Sequence, residues 1–202
     1  EYKALCLQAY QVASQRLEQI KPTGSKPMAI VTDIDETVLD NSPYAVRQAL
    51  MGKDYEVATW YEWTARAEAD TVPGSAAFLK RAAAKGIEIF YVTNRDEKER
   101  GATLVNLHKF NLPNADDAHF FPKVSTSSKE IRRQAIQQTH EIVMLVGDNL
   151  ADLTNIFDKK TEAERNSRVL TLSAELGNKY IIIPNPVYGD WESTLYNYNY
   201  QL

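Results

Sequence analysis

The chain lacks the marks of a disulfide scaffold, a membrane-spanning protein or a general nucleic-acid binder. Its 202 residues include one cysteine, Cys6, so no intramolecular disulfide can form. No motif surrounds that thiol, which reads as a buried free cysteine on an amphipathic helix rather than a nucleophile. No apolar run approaches the ~18 residues of a spanning helix. Basic charge is not in excess: the net charge of −4 argues against the basic face of a nucleic-acid binder. There are no internal repeats and no low-complexity segment. What remains is the composition of a globular domain, 44% hydrophobic and 25% charged, long enough for one good core with an insertion.

Within that composition one stretch stands out. The apolar run Met28-Ala29-Ile30-Val31 leads into Asp33-Ile34-Asp35-Glu36-Thr37, which puts two carboxylates at the C-terminal end of a buried strand. Open α/β sheets bind ligands at that edge. Two carboxylates this close disfavour joint ionisation, and a bound cation removes the conflict. The pair then supplies a nucleophile and a separate proton-transfer group; the bland alternative is a turn that happens to be acidic. The arrangement recurs where Glu141-Ile142-Val143-Met144-Leu145-Val146 runs into Gly147-Asp148-Asn149-Leu150-Ala151-Asp152. If these strands are neighbours in a parallel sheet, Asp33, Asp35, Asp148 and Asp152 converge. Such an all-oxygen set suits Mg²⁺. A helix N-terminus would explain one of these acids, but not four together.

The periodicity predicts a helix over residues 1–20, with Leu5, Ala9, Val12, Ala13, Leu17 and Ile20 on its apolar face, and a first strand over 28–32. Residues 41–72 carry no strong strand and gather Tyr44, Tyr55, Trp60, Tyr61 and Trp63, which reads as a small helical insertion over the sheet edge. A helix over 75–85, a strand over 87–92 and a helix over 97–110 follow. Then come a short strand at Phe120-Phe121-Pro122, a helix over 127–138, the strand from Glu141, a polar helical stretch and a last strand over 180–183. Strands alternating with helices imply an α/β fold with a parallel sheet and helices on both faces. The aromatic tail 196–200 is expected to pack on the surface.

Thr93 and Asn94 close the second long strand, on the same edge as Asp33, where they can donate to phosphate oxygens; Thr93 could instead simply cap the next helix. A transferring phosphoryl group also needs a fixed cation. Lys129 stands near the start of a helix, the end that lysine does not prefer, which points to an anionic partner. Lys123 is the rival candidate.

Taken in order, Asp33-Ile34-Asp35-Glu36-Thr37, Thr93-Asn94, Lys129 and Gly147-Asp148-Asn149-Leu150-Ala151-Asp152 resemble the four motifs of the haloacid dehalogenase superfamily of phosphohydrolases, in its four-aspartate subgroup. More closely, the stretch from Ile30 to Tyr44, the run Tyr91-Val92-Thr93-Asn94-Arg95 and the run Pro186-Val187-Tyr188-Gly189-Asp190-Trp191 resemble the bacterial class C acid phosphatases. The likeness spans nearly the whole chain; one departure is Leu153, where the family usually has phenylalanine.

The resemblance implies one Rossmann-like phosphatase domain over 1–202 with a cap-like insertion at about 41–72. It implies a Mg²⁺-dependent phosphomonoesterase with 5′-nucleotidase character that works through an aspartyl-phosphate. Asp33 would be the nucleophile and Asp35 the acid and then the base. Asp33, the Asp35 carbonyl, Asp148 and Asp152 would hold the metal, and Thr93, Asn94 and Lys129 the phosphoryl oxygens. Trp60 and Tyr188 match positions that flank a substrate base, although core packing is the ordinary role of such residues. A phosphatase for sugar or other non-aromatic phosphates, and a non-catalytic storage or binding protein on the same fold, are the other readings. The family also implies a bacterial cell-envelope location, periplasmic or anchored to the outer membrane as a lipoprotein. No apolar signal region precedes Cys6, and the chain begins inside a helical pattern, as it would after removal of a targeting segment. A nucleoside monophosphate is the expected partner, nucleic acid is not, and an oligomer is compatible with the sequence.

Overall fold

A computed structural model describes residues 1–196 together with Tyr198 and Asn199. Asn197 and Tyr200 of the aromatic tail lie outside the described residues, as do Gln201 and Leu202. The chain opens with helix α1 (Tyr2–Leu17), then strand β1 (Met28–Thr32) and the two-residue strand β2 (Leu39–Asp40). Helices α2 (Ser42–Leu50) and α3 (Val57–Thr64) fill the region read as a helical insertion. The short strand β3 (Asp70–Thr71) closes it by pairing antiparallel with β2. Next come α4 (Ser75–Ala84), β4 (Glu88–Asp96), α5 (Arg100–Lys109), β5 (Phe120–Lys123), α6 (Glu130–Thr139) and β6 (Glu141–Gly147). The chain continues through α7 (Leu150–Leu153), α8 (Glu162–Thr171), β7 (Tyr180–Ile182) and α9 (Asp190–Leu195).

The main sheet has the order β5-β4-β1-β6-β7 and is parallel throughout. Strand alternation sorts its side chains onto two faces. Ile30, Ile89, Tyr91 and Met144 pack with Tyr10 and Leu17 of α1, Phe78 and Leu79 of α4 and Leu107 of α5. Ala29, Val31, Phe90, Val92 and Leu145 pack on the other face with Ile136 of α6 and Leu153. The sheet is therefore the α/β layer the sequence pattern predicts, with helices on both faces. Leu153, the departure from the family pattern, is buried in the second cluster.

Several boundaries differ from the sequence reading. Helix α1 stops at Leu17, and the polar stretch after β6 divides into a short helix and α8. Strand β4 runs to Asp96, past the apolar residues that announced it. That extension matters, because it places Thr93 and Arg95 on the same side of a strand.

Candidate active site

Strand β1 ends in a tight turn. Ile34, Val38 and Leu39 are fully buried, and the Val38 and Leu39 amides both donate to the Ile34 carbonyl at 2.8 Å. The apolar side chains anchor the turn, and Glu36 takes a left-handed conformation (φ 54°) to complete it. The Tyr10 hydroxyl of α1 donates to the Thr37 carbonyl at 2.6 Å, so the first helix holds the turn from behind.

Because β6 is the neighbour of β1, the two acidic stretches meet. Oxygens of Asp33, Asp148 and Asp152 all lie within 4.8 Å of one another. Lys129, just ahead of α6 and 3% exposed, hydrogen-bonds Asp33 and pairs with Asp152 at 2.7 Å. Asp148 accepts from the Thr37 hydroxyl at 3.0 Å and from the Asn185 amide at 2.8 Å. Asp152 also accepts from the Asn149 amide at 2.9 Å. Gly147 is required here, since a methyl at its Cα would overlap the Asp152 side chain. Arg133 donates to the Asp152 carbonyl at 2.7 Å and fixes the end of α7.

The electrostatics fit a cation. Burial pushes the Asp33 carboxyl well above its usual range; the Lys129 charge opposes this and the neighbouring acids add to it. Burial and the Asp152 charge raise Asp148 to about 7, against the Asn185 hydrogen bond. Burial alone would lower Lys129, but Asp152 and Asp33 outweigh it and hold the ammonium charged. Three clustered acids facing one lysine leave negative charge uncompensated, and their oxygen donors suit a hard divalent ion. The residues present thus fit Mg²⁺.

Asp35 does not join that cluster. Its carboxylate turns to Arg95 and Asn41. Thr93 is buried and its hydroxyl accepts from the Arg95 amide at 3.0 Å. Asn94 is exposed, and its side-chain oxygen accepts from Arg132 at 2.8 Å. Arg132 also donates to the Thr93 carbonyl, so it fixes both residues. Lys123, the rival lysine, pairs instead with Asp96 at 2.9 Å.

A cavity of about 920 Å³ opens beside Asp35 and is lined by Tyr44, Tyr55, Trp60, Arg95 and Tyr188, among others. Trp60 meets Tyr44 edge-on at 5.3 Å between centroids and donates its indole N–H to Glu99 at 3.1 Å. Tyr188 is 42% exposed and its hydroxyl bonds Glu36. Both aromatic candidates therefore line one cavity, neither in the main core.

The sequence reading did not single out Arg95, Asn41, Glu36, Arg132 or Asn185. Arg95 carried a usable signal: an arginine two positions beyond a strand-end threonine shares its face if the strand continues. Asn185, between two prolines after the last strand, carried a weaker one.

A family model for the HAD superfamily, subfamily IIIB (acid phosphatase), matches residues 1–191. Among curated proteins, acid phosphatase 1 of Solanum lycopersicum is 25% identical over 167 residues, 78% of this chain and 57% of that one. The stem 31 kDa glycoprotein of Glycine max is 24% identical over 126 residues, 59% of this chain and 50% of that one. The chain thus spans about half the length of these curated relatives. Among solved structures, the class C acid phosphatase from Bacillus anthracis is similar over 100% of this chain and 85% of that one, with 42% identity and a TM-score of 0.93. The same enzyme with tungstate bound gives 41% identity and a TM-score of 0.93. A chain of the Pnkp1/Rnl/Hen1 RNA repair complex, at 17% identity and a TM-score of 0.52 over 85% of this chain and 46% of that one, is similar in fold alone.

Proposed function

The chain belongs to the HAD superfamily, subfamily IIIB, the acid phosphatases, and from that premise we propose that it is a Mg²⁺-dependent phosphomonoesterase that acts on nucleoside monophosphates. One observation carries the reading. The Asp33, Asp148 and Asp152 oxygens group beside buried Lys129, and Asp35, two residues on, lines an aromatic cavity. Tungstate, bound by the Bacillus anthracis relative, is an oxyanion like phosphate.

The proposed chemistry is covalent. Asp33 attacks phosphorus and forms an aspartyl-phosphate, which splits one difficult displacement into two easier ones. Asp35 gives a proton to the leaving oxygen and then takes one from the attacking water. Lys129, Thr93 and Asn94 hold phosphoryl oxygens, where fixed donors stabilise developing charge. Asp33, Asp148, Asp152 and the Asp35 carbonyl would hold Mg²⁺, which supplies Lewis-acid stabilisation and offsets the acids' repulsion of a phosphate dianion. The segment 41–72 serves as a cap, and its Trp60 forms with Tyr188 the walls that take the base. The cavity volume suits a leaving group of nucleoside size.

A cell-envelope location, periplasmic or anchored to the outer membrane through a lipid, belongs to the same proposal. None of the described helices is long and apolar enough to cross a membrane.

The test is phosphate release from nucleotides, sugar phosphates and aryl phosphates, before and after chelation and with Mg²⁺ restored. The expected result is loss on chelation, recovery with Mg²⁺ and the highest kcat/KM on nucleotides. Full activity after thorough chelation would overturn the metal assignment. A preference for sugar phosphates would overturn the nucleotide assignment, and no turnover of any ester would favour a binding protein.

A further inference from the structure

Asp35 is aimed by a residue that the proposed mechanism does not use. Arg95 is 2% exposed, and all three of its guanidinium nitrogens are engaged. Nε lies 3.0 Å from Asp35 Oδ1 and 3.2 Å from Oδ2. Nη2 donates to Asp35 Oδ1 at 2.7 Å and lies 3.5 Å from the Asn41 side-chain oxygen. Nη1 donates to the Thr103 hydroxyl at 3.0 Å. Asn41 adds its own amide N–H to Asp35 Oδ1 at 2.9 Å. Asp35 Oδ1 therefore accepts three hydrogen bonds, while Oδ2 accepts one long one. The guanidinium also lies over the Trp60 ring, 5.7 Å from its centroid, so one rigid group backs both Asp35 and a wall of the cavity.

We propose that Arg95 is the positioning residue for Asp35, saturating Oδ1 together with Asn41 so that Oδ2 is the oxygen that exchanges the proton with the leaving group. This rests on the phosphomonoesterase reading above. As the bond from Asp33 to phosphorus forms, the bond from phosphorus to the leaving oxygen breaks. Its electron pair stays on that oxygen, and the proton on Asp35 Oδ2 moves to it. Arg95 itself transfers no proton. Its planar fork fixes the carboxyl plane in a way that the single ammonium of a lysine cannot.

The test is the dependence of kcat/KM on the leaving group, since kcat/KM covers only the steps through departure of the alcohol. An alkoxide needs the proton and p-nitrophenolate does not. Arg95→Lys should lower kcat/KM for glycerol phosphate at least about tenfold more than for p-nitrophenyl phosphate, within the range that general acids supply. Asp35→Asn should give the same skew, and the double variant no further skew, as expected for residues that act as one unit. Thr103→Val removes the anchor of Nη1, together with the hydroxyl's own bond to the Glu99 carbonyl at 2.8 Å, without touching Asp35; it should give a smaller skew of the same sign, and it decides the matter if Arg95→Lys does not fold. Equal losses across both esters in the Arg95 and Thr103 variants, with the skew present in Asp35→Asn, would overturn the positioning role alone. No skew in Asp35→Asn would overturn the acid role and this inference with it.

Discussion

Lys129 stands at the N-terminal end of α6 and pairs with Asp152 at 2.7 Å while also bonding Asp33. A lysine at that end of a helix opposes the helix dipole, and the two buried carboxylates account for its position. Lys129→Met should therefore destabilise the metal-free protein by about 3–5 kcal/mol, the usual cost of leaving buried charges unpaired. Urea unfolding without divalent ions measures this, and added Mg²⁺ should restore part of the loss. A change under about 1 kcal/mol would mean that the pair is not what balances the acids.

Asp33→Asn should separate chemistry from folding. The amide oxygen can still accept from Lys129, and one of the mutually repelling acids is gone, so the melting temperature should hold or rise. Turnover should fall by at least about 1,000-fold, because an amide is not an anionic nucleophile. Near-parental turnover in a sequence-verified sample would exclude the covalent route.

Trp60→Ala and Tyr188→Ala test the walls of the cavity. Base–aromatic stacking contributes roughly 1–3 kcal/mol per base, so each change should lower kcat/KM for nucleoside monophosphates by about 5- to 150-fold. A small non-aromatic ester should lose much less. Equal losses on both substrates, or a large drop in thermal stability, would assign the two rings to packing.

At the opposite end of the sheet, Glu88 accepts from His119 at 3.0 Å and from His140 at 3.2 Å. Burial works to lower the His119 pKa, but hydrogen bonds to Asp116 and Glu88 raise it overall. The bond from His119 holds Glu88 below its ordinary value, against burial. A raised histidine stabilises below its unfolded value of about 6.5 and loses that contribution as pH rises through its folded value. A depressed glutamate stabilises above its unfolded value of about 4.3 and loses it as pH falls. The loss of stability in Glu88→Gln should therefore peak between about pH 4.3 and 6.5 and shrink at pH 8. Melting temperatures of parent and variant across that range check this; a pH-independent difference would contradict it.

The sheet and the clustered acids were legible because apolar runs long enough to be strands ended in carboxylates. Parallel neighbours then had to bring Asp33 and Asp148 together. The orientation of Asp35 was not legible. Beyond Thr32 the chain turns, and strand alternation no longer says where a side chain points. Arg95 was hidden for the opposite reason: β4 continues three residues past Thr93 on polar side chains, where a hydrophobic pattern has nothing to read. Strands β2 and β3 are two residues each, too short for any periodicity. Helix α9 follows a Pro/Gly-rich stretch that reads as loop.

The hydrogen bond from Thr37 to Asp148 joins residues 111 positions apart, so the site exists only once a long stretch of chain has been closed. The β1 turn is local and can form as soon as Tyr10 reaches it. Asp148 comes from far along the chain, and closing a loop of that length carries an entropic cost that slows folding. The acids are brought together by the pairing of β1 with β6, so their mutual repulsion opposes that closure. A divalent cation present while the chain folds would act on that closing step. It would offset the repulsion between the acids as β1 and β6 come together.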